Sequence, residues 1–460
     1  MFYTHTRQDI EKNREMYRTM LDASHPLIEL DKLIDWQGIL KMVVPYYSKT
    51  PTGRPTADPI MLIKILFIQK LEGFRSVRFT CKQIQSNATY RWFLGIHLFK
   101  QIPNHSTISK FLWQRLQGAD FWLSLFNQQL LQIYQEGFIA NETWAGDETE
   151  LKANANKRFR QKVFTKKVVS PKEEELHEIN TFRMKYGKKP FKMTEPKVLY
   201  HPTNYSPIDK DARLSVKHVE RGQFAYFEHR IVDTLHGFII ATELTAANVP
   251  GHQVLPTQVD QLNDLFGEYA KEITLDAGYY NAACAKELLK RGFFISMPYK
   301  RSRSKEHPQC KRSQFTEVKE CLYACPMGIP FYYRTTTRNG YHEYKPPVGS
   351  CRNCPYSLKE KDRILRISIH QKVYDTIREM RLSFRGRILK LVRPQTIELS
   401  FAHSKENHGL RYARYRGLLK VKTQVLMTGI IQNFKKWAIL SSLKKIGLHL
   451  TYKIIEDIDQ

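Results

Sequence analysis

The segment LVRPQTIELSFAHSKENHGLRYARYRG, residues 391–417, carries an acid and a base on a helical pattern. Ile397, Phe401 and Leu410 form its buried side. Pro394 and Gln395 suit the first turn of such a helix, and Gly409 suits its end. Lys405 follows Glu398 by seven residues. That is about two helical turns, so the side chains share a face roughly 10 Å apart. An acid with a lysine two turns away can hold a metal ion and a neighbouring phosphate. The plain alternative is a solvated face.

The chain has 460 residues, enough for two or three domains, and its 42% hydrophobic content marks it as globular. Lys and Arg number 73 against 45 Asp and Glu, a net charge of +28. Such a balance favours a polyanionic partner. The N-terminal MFYTHTRQDIEKNREM lacks the apolar segment of a secretory signal. No apolar run reaches the ~18 residues of a membrane span. Five of seven cysteines fall within 310–354, which points to metal binding in a reducing compartment and a cytoplasmic location.

Working back, residues 27–137 read as helices. In TADPIMLIKILFIQKLEGF, Asp58 can cap, Pro59 fits the first position and Gly73 fits the stop. Further helices are expected from Ser76, through TYRWFLGI, and after a Ser106 cap. Short helices in a basic chain suggest a helix-turn-helix-like DNA module, with Arg75, Arg78, Lys82, Arg91 and Lys110 as candidate phosphate contacts.

Near residue 138 the period changes. FIANETWAGDETELKAN alternates as a strand with Asp147 on one face and Glu148 and Glu150, rival acids, on the other. Residues 152–199 hold 14 Lys/Arg against 5 Asp/Glu with interleaved aromatics, as an arm or insertion that tracks a phosphate backbone, or a flexible basic linker, would. QFAYFEHRIVD and FIIATELT form a hairpin whose turn holds Asp233 in a structural place; a helix, the strand EITLD, a helix capped by Asn281 and the strand FFISMPYK follow. This is an α/β sheet. Asp276 stands at the carboxyl end of its strand, where such sheets place functional groups. Cys321 and Cys325 (C-x3-C) and Cys351 and Cys354 (C-x2-C) are candidate zinc ligands, with His307, Cys310 and His342 as substitutes.

With Asp147, Asp276 and Glu398 in view, the chain resembles the DDE transposases of bacterial insertion sequences. The stretches that carry the likeness are GRPTADPIMLIKILFIQKLEG, YRWFLGI, PNHSTISKF, WAGDETELKANAN, DKDARLSVK, TLDAGYYN and RPQTIELSFAHSKENHGLRYARYRGLLKVKTQ. The resemblance implies an RNase H-like mixed sheet with flanking helices, an all-α N-terminal domain (1–135) and a small insertion. The core would fall in two parts, 136–300 with a basic insert at 152–215, and 376–440 with the glutamate helix. The cysteine insertion would occupy 301–375 and a tail 441–460. The implied activity is cutting and joining double-stranded DNA at element ends and target, on a homodimer or higher assembly. Asp147, Asp276 and Glu398 would hold two Mg²⁺ (or Mn²⁺) ions. Lys405, Arg411, Arg414, Arg416, Lys420 and Lys422 would line the DNA. The related helix signature has a Tyr and an Arg before its Glu; here Leu391 takes the Tyr place and Arg393 stands five residues before Glu398, one more than usual. In relatives with such an insertion another Cys follows the C-x2-CP pair; none stands near Lys359 here, so either the structural Zn²⁺ site is lost or Cys321 is its fourth ligand. Two other classes compete: a non-catalytic DNA-binding protein derived from a transposase, and an RNase H-like nuclease without strand transfer.

Overall fold

The computed structural model describes residues 7–21, 25–47, 56–116, 118–156, 158–169, 173–193, 197–215, 222–299, 312–352, 354–355 and 362–445. His307, Cys310 and residues 446–460 of the expected tail lie outside them.

Eight helices come first: α1 (Arg7–Glu15), α2 (Pro26–Leu33), α3 (Trp36–Val43), α4 (Pro59–Leu71), α5 (Val77–Ser86), α6 (Ala88–Leu94), α7 (His105–Lys110) and α8 (Ala119–Gln135). Side-chain caps set several starts. Asp58 Oδ1 accepts from Ile60 N at 2.8 Å, and Ser76 Oγ from Phe79 N at 3.1 Å. The start of α7 differs from expectation: Asn104, not Ser106, is the cap, accepting from Ser106 N at 3.0 Å. Helix α4 is buried on every side from Met61 to Lys70, so its apolar surface is not a single stripe.

The central sheet contains β1 (Thr143–Lys152), β2 (Gln161–Val169), β3 (Lys197–Tyr205), β4 (Arg213–Ser215), β5 (Gln223–Asp233), β6 (Ile239–Ala246), β7 (Glu272–Leu275) and β8 (Phe294–Ser296). Its core runs β6-β5-β1-β7-β8; β1 is antiparallel to β5, β5 to β6, and β1, β7 and β8 run parallel. Helices α10 (Gly251–Phe266) and α11 (Ala282–Lys290) make the parallel crossovers. The basic insert is neither a bare arm nor a linker. Strands β2 and β3 pair over nine residues each, and α9 (Glu173–Lys185) lies between them in sequence.

A second sheet follows: β9 (Thr316–Lys319), β10 (Leu322–Ala324), β11 (Pro330–Thr336), β12 (Tyr341–Lys345) and β13 (Leu365–Ser368). The two insertions touch. Arg183 of α9 donates to Thr335 Oγ1 at 2.9 Å and Thr336 O at 2.6 Å, and the Phe182 ring lies tilted against that of His342, centroids 3.9 Å apart. Cys321, Cys325 and Cys351 pack in this sheet's apolar cluster. Among the described residues no group of three or more His, Cys, Asp or Glu that could hold a metal ion is found, and this covers the four cysteines and the acids Asp147, Asp276 and Glu398 alike. His342 is committed elsewhere, with Nδ1 2.8 Å from Thr336 Oγ1.

The chain then returns through α12 (Gln371–Leu382), α13 (Phe384–Arg393), α14 (Leu399–Glu406) and α15 (Leu418–Lys445). The 28-residue α15 is buried over most of its length, packing on α8, α4 and α2 on one side and β6 on the other. One apolar cluster therefore runs from Leu27 through Trp144 to Trp437. Among the described residues no helix is long and apolar enough to cross a membrane.

Candidate active site

Sheet register brings the first two acids together. Gly146 pairs with Leu275 across the parallel β1–β7 contact, so Asp147 and Asp276 are the next residues along the two adjacent strands' paths. Glycine at 146 leaves room for the neighbouring strand: a Cβ there would stand 2.7 Å from Leu275 Cδ2, which would have to move. Asp276 leaves the end of β7, and its side chain is 49% exposed, whereas that of Asp147 is 16% exposed.

The third acid arrives on a helix that begins earlier than its sequence suggests. Pro394 is not in a first turn. Helix α13 continues through a π-helical segment, Pro394–Glu398, into α14. A π turn holds one more residue than an α turn. It takes up the extra residue between Arg393 and Glu398 and leaves both facing one place. Ile397, Phe401 and Leu410 are buried as expected.

Arg393 joins all three acids. Its Nη2 lies 2.5 Å from Asp147 Oδ2, and its Nη1 3.4 Å from Glu398 Oε1 and 3.9 Å from Asp276 Oδ1. Burial pushes the Asp147 carboxyl up to about 6, and Asp276 adds to the rise. The Arg393 guanidinium and the Glu148 backbone N–H act against it. Negative charge is thus crowded at one point and held by a cation.

The rival acids have other partners. Glu148 Oε2 accepts from Gly251 N at 2.7 Å, at the start of α10 on the opposite face. Glu150 accepts from Ser215 Oγ at 2.7 Å and from Gln223. Asp233 accepts from Asn141 N at 3.1 Å and Leu235 N at 3.0 Å.

Lys405 Nζ donates to Thr149 Oγ1 at 2.6 Å, two residues along β1 from Asp147 and on the same face. Burial lowers its ammonium below the usual lysine range. Past α14, Arg411, Arg416 and Lys420 are exposed, with Arg411 paired to Glu406 and Arg416 Nε donating to Asn154 O at 3.2 Å. Arg414 is not part of an open track. It donates to Gly73 O at 2.8 Å and to Phe74 O, just past the end of α4. Lys422 is paired with Glu243 at 2.8 Å. In the helical region Arg91 is also removed from the phosphate contacts: it is buried, with Nη2 2.7 Å from both His97 O and Lys100 O.

Strand β1, the β5–β6 hairpin, helix α10 and the parallel strands β7 and β8, with acids on β1 and just past the end of β7, define an RNase H-like core. Family models match three stretches in chain order: a transposase domain (DUF772) over 15–113, and transposase DDE domains over 191–349 and 324–438. Together these matches, all to transposase domains, support an insertion-sequence DDE transposase. Asp276 and Glu398 fall inside the DDE matches; Asp147 precedes them. No curated protein matches. Among solved structures it is similar to a piggyBac transposase synaptic complex with hairpin DNA, at 11% identity and a TM-score of 0.29, covering 95% of this chain and 84% of that one. It is also similar to a Mos1 mariner paired-end complex with Mn, at 10% identity and a TM-score of 0.16, covering 64% and 78%.

Proposed function

We propose that this transposase cuts DNA at the ends of an insertion sequence and joins the freed ends to target DNA. The convergence of Asp147, Asp276 and Glu398 on one guanidinium carries the reading. Three carboxylates are forced together there, two of them half exposed to an incoming ligand. All donors are hard oxygens, which suit Mg²⁺ or Mn²⁺.

Two such ions would supply charge neutralisation at the scissile phosphate and an activated water or 3′-hydroxyl. Asp276 and Glu398, each about half exposed, would hold the ions together with Asp147. Asp147 is fixed by its strand and by the Glu148 N–H. Arg393 keeps the acids assembled. Lys405, anchored through Thr149 on the face of Asp147, supplies positive charge for a phosphate beside the site. Arg411, Arg416 and Lys420 extend that charge along the DNA. Joining two ends requires two such sites, hence a homodimer or larger assembly on double-stranded DNA.

Purified protein with Mg²⁺ and end-containing DNA should give both cleaved and joined products. Asp276→Asn should bind the same DNA within about twofold and yield neither product. Metal-dependent cleavage by that variant sinks the assignment. Cleavage without any joined product by the unaltered protein leaves a nuclease only.

A further inference from the structure

Strand β5 holds Glu228, His229 and Arg230 in the middle of a buried, otherwise apolar run. Arg230 pairs with Asp147 across the antiparallel β1–β5 contact, so both side chains leave the sheet on the same face. Its Nη1 donates to Ser400 Oγ at 2.8 Å and its Nη2 to Ser404 Oγ at 3.0 Å. The guanidinium stacks 4.5 Å from the Phe401 ring. Glu228 Oε1 holds it from behind, accepting from Nε at 2.8 Å and Nη2 at 2.5 Å, and also from Thr242 Oγ1 at 3.1 Å. Gln432 of α15 completes the set, accepting from Ser404 Oγ at 2.5 Å and donating to Ser400 O at 3.0 Å.

We propose that Arg230, braced by Glu228, is a positioning residue: it fixes how the Leu399–Glu406 helix sits on the sheet, and through it where Glu398 and Lys405 stand relative to Asp147. This rests on the reading of the three acids given above. Ser400 and Ser404 are one turn apart on one face, and the segment they bound is flanked by Glu398 on one side and Lys405 on the other. Apolar packing alone would let the helix slip or roll at little cost. A buried ion pair adds little net stability over apolar residues of the same volume. Its planar fork instead accepts one arrangement of the two hydroxyls. A displacement of about 1 Å at a reacting group costs on the order of 100-fold in rate.

The test uses full-length protein carrying Ser400→Ala with Ser404→Ala, or Arg230→Lys, beside Asp276→Asn. Amide hydrogen exchange is followed without metal, then end-DNA affinity and single-turnover cleavage at saturating DNA. The serine variant removes two hydroxyls and no charge, so it tests the link even where Arg230→Lys fails to fold. Expected are faster exchange confined to residues 399–406, DNA affinity within about twofold, and a rate about 10- to 100-fold lower. Wild-type rate in the serine variant, or unchanged exchange over 399–406, overturns the positioning role while Asp276→Asn still abolishes cleavage. Full cleavage by Asp276→Asn overturns the reading of the acids itself, and the positioning role with it.

Discussion

Arg393 shows how one residue can decide whether three acids form a site. Replacing it with Ala leaves Asp147 buried beside two other carboxylates with no counter-charge. Loss of one partner from a buried pair costs several kcal/mol. The half-exposed positions of Asp276 and Glu398 reduce this, to roughly 3 kcal/mol. Urea unfolding of Arg393→Ala should show that loss, and millimolar Mn²⁺ should recover more stability in the variant than in the parent. Asp233 gives a different test. Burial raises its carboxyl from 3.8 to about 7 against four backbone hydrogen bonds that pull the other way. The folded state therefore keeps a proton that the unfolded chain has released, so this contribution is full below pH 4 and is lost as pH rises to 7. Asp233→Asn should flatten the fall in stability between pH 4 and 7 in urea titrations. Asp147, Asp276 and Glu398 were legible as acids on a strand, at a strand end and on a helix. The rivals Glu148 and Glu150 were not separable from them by spacing alone, because their partners Gly251, Ser215 and Gln223 are 65 to 103 residues away.

At the level of elements, the alternation of β1, the apolar runs of β5 and β6 and the capped helices α4, α5 and α11 could be read directly. Local side chains set them. The glutamate helix was legible in its buried side but not in its start. Pro394 ordinarily marks a first turn, and here the π-helical segment absorbs it within a longer helix. The β2–β3 pair and α9 were hidden because the dense Lys and Arg of that stretch obscure any apolar period, and α9 finds its apolar partners on the distant second sheet. The corner between α12 and α13 is tighter than any pattern indicates. A Cβ on Gly386 would lie 2.1 Å from Met380 O and 2.8 Å from Arg381 Cα, both backbone atoms. Gly386→Ala should therefore destabilise by about 3 kcal/mol, at the upper end for overpacking. A lowered urea midpoint with an unchanged slope is the expected result.

Across the whole molecule, composition announced the partner before any motif did: a net charge of +28 in a globular chain points to a polyanion. What composition could not show is that the N-terminal helices and the α/β sheet share one core. Helix α15 lies between them, with Gln129 of α8 donating to Ile430 O at 2.9 Å and Asn433 bonding both ways to the Ile239 backbone at 2.8 and 2.9 Å. Equilibrium unfolding should accordingly show the helical region and the sheet melting together. Coincident curves from far-ultraviolet circular dichroism and from tryptophan fluorescence would bear this out; two separated transitions would not.

That shared helix also governs when the protein can exist at all. During synthesis the first helices emerge with the sides that α15 covers still bare, because α15 begins only at Leu418. Every growing chain must pass through a long interval with those sides uncovered, dependent on chaperones or on provisional contacts. A ribosome that stalls before residue 418 releases a product that cannot close its core, so incomplete copies should be cleared instead of lingering as DNA-binding fragments.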